Sequence, residues 1–180
     1  PLFERFRETL EEGTALRTLT LNKDEIKLVS GFSFLTLKPM ILVLNGDEHG
    51  VAPETVEAAR ALGAEVVDMC AKVEEELGEL SEEERAEFLA DLGIDEPAAH
   101  RMVRASYHAL GLRSFFTVGE DECRAWTVRA GALAPEAAGV IHSDLQRGFI
   151  RAETIAYDDY VTLNGESGAR DAGKLRLEGK

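Results

Sequence analysis

Five apolar residues in succession, Met40-Ile41-Leu42-Val43-Leu44, end abruptly at Asn45-Gly46. A strand with one wet face alternates apolar and polar side chains. A run without alternation, closed by a turn signal, predicts a strand covered on both faces, as in a parallel sheet. Parallel strands need a crossover, and the next residues supply one. Pro53 stands in the first turn of a helix, where its missing N–H costs nothing; the helix runs through Glu57 and Ala61, and Gly63 closes it. Glu65-Val66-Val67-Asp68-Met69-Cys70 then reads as a second strand. Strand, helix and strand within about thirty residues make a βαβ unit with a right-handed crossover.

The flanks carry helix signals. Leu2, Phe3, Phe6 and Leu10 share one side of a helix ending near Gly13, and Asn22 with Glu25 is a capping-box pair for a short helix, Lys23 to Ser30. Ser81 with Glu84 is a second capping box, for a helix that ends at Leu89, Leu92 and Gly93. Pro97 opens another, with Met102, Val103, Tyr107 and Leu110 on its apolar side and Gly111 as its stop. From Leu112 the pattern changes. Phe115 to Val118, Ala125 to Val128 and Ile150 to Ile155 read as strands. A helical stretch from Pro135 to about Leu145 separates the second from the third, and a last helical segment covers about Ser167 to Arg176. Strands with a helix laid across them predict a small α+β module of β-grasp type. No repeat or low-complexity linker marks the boundary near 111–113.

Charge narrows the partners. The chain has 34 acidic and 20 basic side chains among 180 residues, a net charge of −14. Residues 37–112 alone hold 17 acidic against 6 basic, whereas residues 113–180 hold 11 against 9. The middle region repels phosphate backbones, and only the last third leaves room for a local basic face. No stretch approaches the roughly 18 to 20 apolar residues of a membrane span. Pro1-Leu2-Phe3-Glu4-Arg5 has neither the basic nor the apolar region of a signal peptide. Cys70 and Cys123 lie far apart, against a disulfide framework or a zinc knuckle, so a reducing cytoplasm is the expected setting. His49, His100, His108 and His142 lack metal-ligand spacing, and His142-Ser143-Asp144 is too local for a catalytic triad, so no metal or catalytic residue is assigned. The acidic run Glu74 to Glu87 reads as a solvated helix face, and Trp126 as strand packing.

Ligands of a parallel sheet bind beyond the carboxyl ends of its strands. Two polar turns sit there: Asn45-Gly46-Asp47-Glu48, and Cys70-Ala71-Lys72. Together they are placed to hold one planar ligand, although Asn-Gly is also simply a turn.

Many short runs fall in one order along nearly the whole chain. Leu35-Thr36-Leu37-Lys38-Pro39-Met40 precedes the strand and Asn45-x-x-Glu48. Cys70-Ala71-Lys72-Val73-Glu74 leads to Glu79-Leu80-Ser81 and Glu83-Glu84-Arg85. Arg104-Ala105-Ser106-Tyr107 leads to Phe115-Phe116-Thr117-Val118-Gly119-Glu120. Arg124-Ala125-Trp126-Thr127-Val128 is followed by Ala134-Pro135-Glu136-Ala137-Ala138-Gly139-Val140-Ile141-His142-Ser143-Asp144 and Gly148-Phe149-Ile150-Arg151-Ala152-Glu153. Ala172-Gly173-Lys174 and Arg176-Leu177-Glu178-Gly179-Lys180 close the series. The series resembles the C-terminal part of the YchF (Obg-like) ATPase family, P-loop proteins whose N-x-x-E replaces the N-K-x-D base reader of ordinary GTPases.

The resemblance implies the end of a helical insertion in residues 1–36, the C-terminal part of an Obg-type nucleotide-binding domain in 37–111, and a β-grasp TGS domain in 112–180 lacking its last strand. It implies a parent that hydrolyses ATP, and also GTP, with Mg²⁺, and that associates with the ribosome (its large subunit) or RNA through the TGS domain; neither DNA nor a membrane is expected. Asn45 and Glu48 would frame the base, Gly46 would offer backbone polar groups to its edge, and Ala71 and Lys72 would close the other side. Arg147 and Arg151 would touch RNA. The sequence holds no G-x-x-x-x-G-K-[ST], so it is expected to be a fragment, inactive alone. Leu145 and Glu136 depart from the family's usual aromatic and glutamine. The competing reading is a non-catalytic β-grasp module that docks RNA or protein.

Overall fold

The computed structural model describes residues 1–119 and 121–179; Glu120 and Lys180, the ends of two of the runs above, lie outside the described residues. The chain is a mixed α/β protein that divides into two compact units, residues 1–110 and 111–180.

The first unit begins with α1 (Leu2–Glu11), whose Phe6 packs with Leu16 and with Val29 of α2 (Lys23–Val29). Leu16 is wholly buried, and Phe6 meets Phe34 edge-on with ring centroids 5.8 Å apart. The capping box at α2 forms as the sequence predicts. The Asn22 side chain accepts from the amides of Asp24 and Glu25, and the Glu25 carboxylate accepts from the Asn22 amide at 2.9 Å. That amide, with Arg5 beside it, holds the Glu25 carboxyl below its ordinary value.

The βαβ unit follows: β1 (Ile41–Asn45), α3 (Pro53–Arg60) and β2 (Glu65–Met69). The strands pair in parallel from Ile41 opposite Glu65 to Asn45 opposite Met69. Next come α4 (Ala71–Glu79), α5 (Glu82–Asp91) and α6 (Ala98–Ala109). Helices α3 and α6 pack on β2, whose Val67 is buried, and α6 also reaches β1. The apolar run predicts cover on both faces of β1, but Val43 is 45% exposed, because these helices gather on β2. Val73, Leu77 and Leu89 form a second core between α4 and α5.

The acidic run is solvated as expected, every carboxylate but Glu74 being exposed, but it lies on two helices and not on one face. It breaks at Leu80-Ser81 into two helices, and two of its carboxylates serve as caps. Glu74 accepts from the Ala98 amide that starts α6, at 2.7 Å, and Glu84 closes the box at Ser81. Arg85 bonds the carbonyls of Leu77 and Leu80 at the end of α4.

The second unit opens with an antiparallel hairpin of β3 (Leu112–Val118) and β4 (Cys123–Arg129), then α7 (Ala134–Ile141) and α8 (Ser143–Arg147). Strand β5 (Arg151–Thr154), α9 (Tyr157–Thr162), α10 (Glu166–Asp171) and β6 (Arg176–Gly179) complete it, with β6 antiparallel to β5. The described strands pair two and two, in separate sheets. The helical stretch expected from Pro135 to Leu145 breaks at His142, whose backbone is extended at φ −162° and whose Nδ1 accepts from the Asp144 amide. The segment expected to be helical to Arg176 stops at Asp171. Gly173 takes φ 68°, the amide of Lys174 reaches back to Ala169 at 2.8 Å, and Arg176 begins a strand. Helix α9 has no counterpart in the sequence reading. Trp126 is half-buried, with its Nε1 donating to Thr117 at 2.9 Å and the Arg124 guanidinium 4.3 Å from its ring centre. Among the described residues no helix is long and apolar enough to cross a membrane.

The Ser81 box generates a prediction. The Ser81 hydroxyl and amide both donate to Glu84, which lowers that carboxyl's pKa from 4.5. A carboxyl held lower in the folded chain stabilises it fully above its unfolded value, and that contribution is lost as pH falls through the folded one. Ser81→Ala should lower the melting temperature of the first unit by a few degrees at pH 7. Thermal melts in acid should show the difference from wild type closing as the pH drops below about 4.

Candidate functional site

Parallel pairing brings the carboxyl ends of β1 and β2 side by side, with Asn45 opposite Met69. The ladder extends one step further: the Gly46 amide donates to the Met69 carbonyl at 2.8 Å. Beyond it the two turns are laced by a side chain. Asn45 Oδ1 accepts from the Ala71 amide at 2.9 Å, across 26 residues of sequence. Ala71 is the first residue of α4, and Cys70 before it makes no side-chain cap. The first amides of a helix have no partner within it, so Asn45 caps α4 from the neighbouring strand. The turn read at Cys70-Ala71-Lys72 is therefore a strand end running straight into a helix, with Ala71 and Lys72 exposed in its first turn.

The loop after Gly46 folds on itself. Asp47 Oδ1 accepts from the His49 amide at 2.9 Å, its carbonyl accepts from Gly50 at 3.0 Å, and Asp47 and Gly50 form a bridge. Asp at the first position and Gly at the fourth is a turn signature that the sequence displays. Glu48 rides on this turn with 65% of its side chain exposed, and its carboxylate lies 4.0 Å from His49 Nε2. Gly46 is needed as glycine here. A Cβ on it would lie 2.6 Å from the Gly50 carbonyl oxygen and 2.8 Å from a Val51 methyl, so any side chain displaces the loop that carries Glu48.

Asn45, Gly46 and Ala71 are thus brought together by direct bonds; Lys72 follows on α4, and Glu48 stands apart on its own turn. Because the Gly46 N–H is spent on Met69, its carbonyl is the backbone group left for a ligand. The Asn45 NH2 group has no partner among the described residues, which makes it the donor at this corner. The site is an open surface. Two cavities among the described residues of this unit lie elsewhere, one of about 280 Å³ between β2 and α6 and one of about 520 Å³ among residues 17–39. The first is lined by polar pairs that the sequence reading missed: Arg101 holds the Asp68 carboxylate at 3.2 Å and its carbonyl at 2.7 Å, and the His108 ring meets Glu65. Nothing in the spacing of these pairs announces them.

The arginine candidates lie in the second unit. Arg147 is ion-paired with Asp144 three residues before it. Arg151 opens β5 and has no carboxylate partner among the described residues.

Residues 112–180 match the YchF-GTPase_C family model, "Protein of unknown function (DUF933)". The chain is 47% identical to the "Ribosome-binding ATPase YchF" of Pasteurella multocida and 45% identical to that of Bacillus subtilis, in each case over 99% of its length and 51% of the relative's. Its structure resembles that of the Schizosaccharomyces pombe YchF GTPase with a TM-score of 0.81 at 30% identity, over 99% of this chain and 50% of the other. The chain spans about half the length of the curated relatives it matches.

The bond between the two turns can be tested directly. Asn45→Ala removes the acceptor for the Ala71 amide, and one hydrogen bond contributes about 1 kcal/mol. Amide exchange at Ala71 should quicken about fivefold, with α5 and its cap unchanged.

Proposed function

This chain belongs to the YchF family, and from that membership we propose that it is the base-reading and ribosome-contacting part of a nucleoside-triphosphate hydrolase. The observation that carries the proposal is the bond from Asn45 to the Ala71 amide. It fixes two loops side by side where parallel strands end, which is where such sheets take their ligands. Asn45 and Glu48 frame the base from one side, the Gly46 carbonyl faces its edge, and Ala71 and Lys72 close the other side.

The base these groups accept follows from hydrogen-bond polarity. A fixed carboxylate accepts two N–H bonds from guanine, whereas adenine presents a lone pair at N1, which a carboxylate repels. Glu48 is longer by one methylene than the aspartate of N-K-x-D, stands on a turn with most of its side chain exposed, and has among the described residues only the neighbouring His49 ring within 4.0 Å as a partner for its charge. It swings away from adenine at little cost. ATP is therefore accepted at least as well as GTP. Phosphoryl transfer depends on positioning and on charge stabilisation at the phosphates. No residue named here supplies either, and no group of three His, Cys, Asp or Glu among the described residues is placed to hold Mg²⁺. The metal and the phosphates fall to a phosphate loop, a motif that this sequence does not contain.

The second unit is read as a TGS domain of β-grasp type: a hairpin, helices, then a second strand pair, in that order. Its nearly balanced charge makes it the part that approaches ribosomal RNA, since residues 37–112 repel phosphate. Of the two arginines first assigned to that contact, Arg151 is the one whose charge is uncommitted.

Two outcomes test this reading. In the full-length gene product, competition binding should give ATP an affinity at least equal to that of GTP; a guanine preference of the thousands-fold size that a well-formed polar pair gives would refute the base assignment. The 180-residue chain alone should show no ATP turnover above a buffer blank, and turnover in a preparation freed of contaminating ATPases would place catalytic groups within it.

A further inference from the structure

With 34 carboxylates for 20 basic side chains, this chain has acid to spare for every cation. In the second unit, most cations outside the first hairpin use it. Arg147 pairs with Asp144, Lys174 with Asp159, and Arg170 with both Glu166 and Glu153, bonds that raise its pKa. The hairpin arginines do not. Arg113, Arg124 and Arg129 are exposed, and none has a carboxylate partner among the described residues. Neither β3 nor β4 contains an acidic residue.

The register sorts these three by face. Residues opposite one another across an antiparallel pair lie on the same side, and the side alternates along each strand. Arg113 stands opposite Val128, Phe115 opposite Trp126, and Thr117 opposite Arg124, so Arg113 and Arg124 share a face with the two aromatics. Arg129, opposite Leu112, is on the other side. The Arg124 guanidinium lies 4.3 Å from the centre of the Trp126 ring, and Thr117 fixes that ring through its Nε1. Such a contact holds the guanidinium in place while its N–H groups stay available. Four residues of strand separate the levels of Arg113 and Arg124, roughly 13 Å, enough to engage two separate phosphates. Asp121 and Glu122 occupy the turn between the strands and exclude a polyanion from the tip.

We propose that this face of the β3–β4 hairpin, through Arg113 and the Trp126-backed Arg124, is the surface by which the second unit holds the phosphates of single-stranded RNA. The assignment rests on the ribosome-contact reading above and moves its centre from Arg147 and Arg151 to the hairpin. Arginine suits the task, since its planar fork presents paired donors to phosphate oxygens.

The test uses the full-length gene product, with purified large ribosomal subunits and a fluorescein-labelled oligouridylate of about 12 nucleotides as probes, each titrated across a potassium chloride series. Each phosphate contact on a single strand contributes about 0.7 to the slope of log K against log salt. The Arg113→Ala/Arg124→Ala double variant should bind both probes more weakly, with the slope shallower by about 1.4. Arg129→Ala removes the same charge from the opposite face and should leave the slope unchanged. Arg124→Lys keeps the charge and should keep the slope. Melting temperature and circular dichroism establish that each variant is folded. An unchanged slope in the folded double variant overturns the hairpin assignment and leaves ribosome association standing. Weaker subunit binding with no change of slope also overturns it, in favour of a protein partner. If wild type binds neither probe, the ribosome-contact reading fails, and this assignment fails with it.

Discussion

The parallel register of β1 and β2 is the constraint on which the first unit depends. Parallel strands cannot be joined by a tight turn, so α3 must intervene, and Pro53 and Gly63 set its limits. The same register puts Asn45 across from Met69, and only from there does its side chain reach the start of α4. A slip of one residue would turn Val67 out of its packing with the helices and carry Asn45 away from Ala71. Packing and site are thus set by one pairing, and the Gly46–Met69 bond is its last rung.

Where the sequence spoke clearly, it did so through local chemistry. The capping boxes at Asn22 and Ser81 and the glycines at 63 and 93 each state a rule that operates within a few residues, and the structure follows them; the unbroken run before Asn45 gives the parallel strand but not its cover on both faces. The bond from Asn45 to Ala71 obeys no such rule. It spans 26 residues, and nothing local distinguishes this asparagine from any turn asparagine. Resemblance to a family pointed to the same residues and had Gly46 offering backbone polar groups; of these the ladder uses the amide and leaves the carbonyl. The paired charges around Arg101 were likewise invisible, because side chains brought together by folding leave no periodic trace.

The second unit was harder to read, for reasons of competition between signals. Apolar spacing runs smoothly past His142, yet a side-chain nitrogen that accepts from the Asp144 amide offers the backbone an alternative to helix, and the chain takes it. Gly173 ends α10 where spacing alone would carry the helix on to Arg176. Helix α9 is short and acid-rich, with too few apolar positions to show a period. The strands β3 and β4, by contrast, were read near their observed limits, but the pairing register that assigns each hairpin arginine to a face comes from the structure.

The Gly46–Met69 bond has a chemical consequence as well as a structural one. Asparagine followed by glycine is a dipeptide prone to deamidation, because the glycine nitrogen can attack the neighbouring carboxamide carbon and close a succinimide as the carboxamide nitrogen leaves as ammonia. In this fold the Gly46 N–H is engaged by the Met69 carbonyl and the Asn45 oxygen by the Ala71 amide, so ring closure first requires the Gly46–Met69 bond to break. The protein's ageing at this position is therefore governed by how often the end of the sheet opens. A slow accumulation of isoaspartate at residue 45 would serve as a molecular record of that breathing.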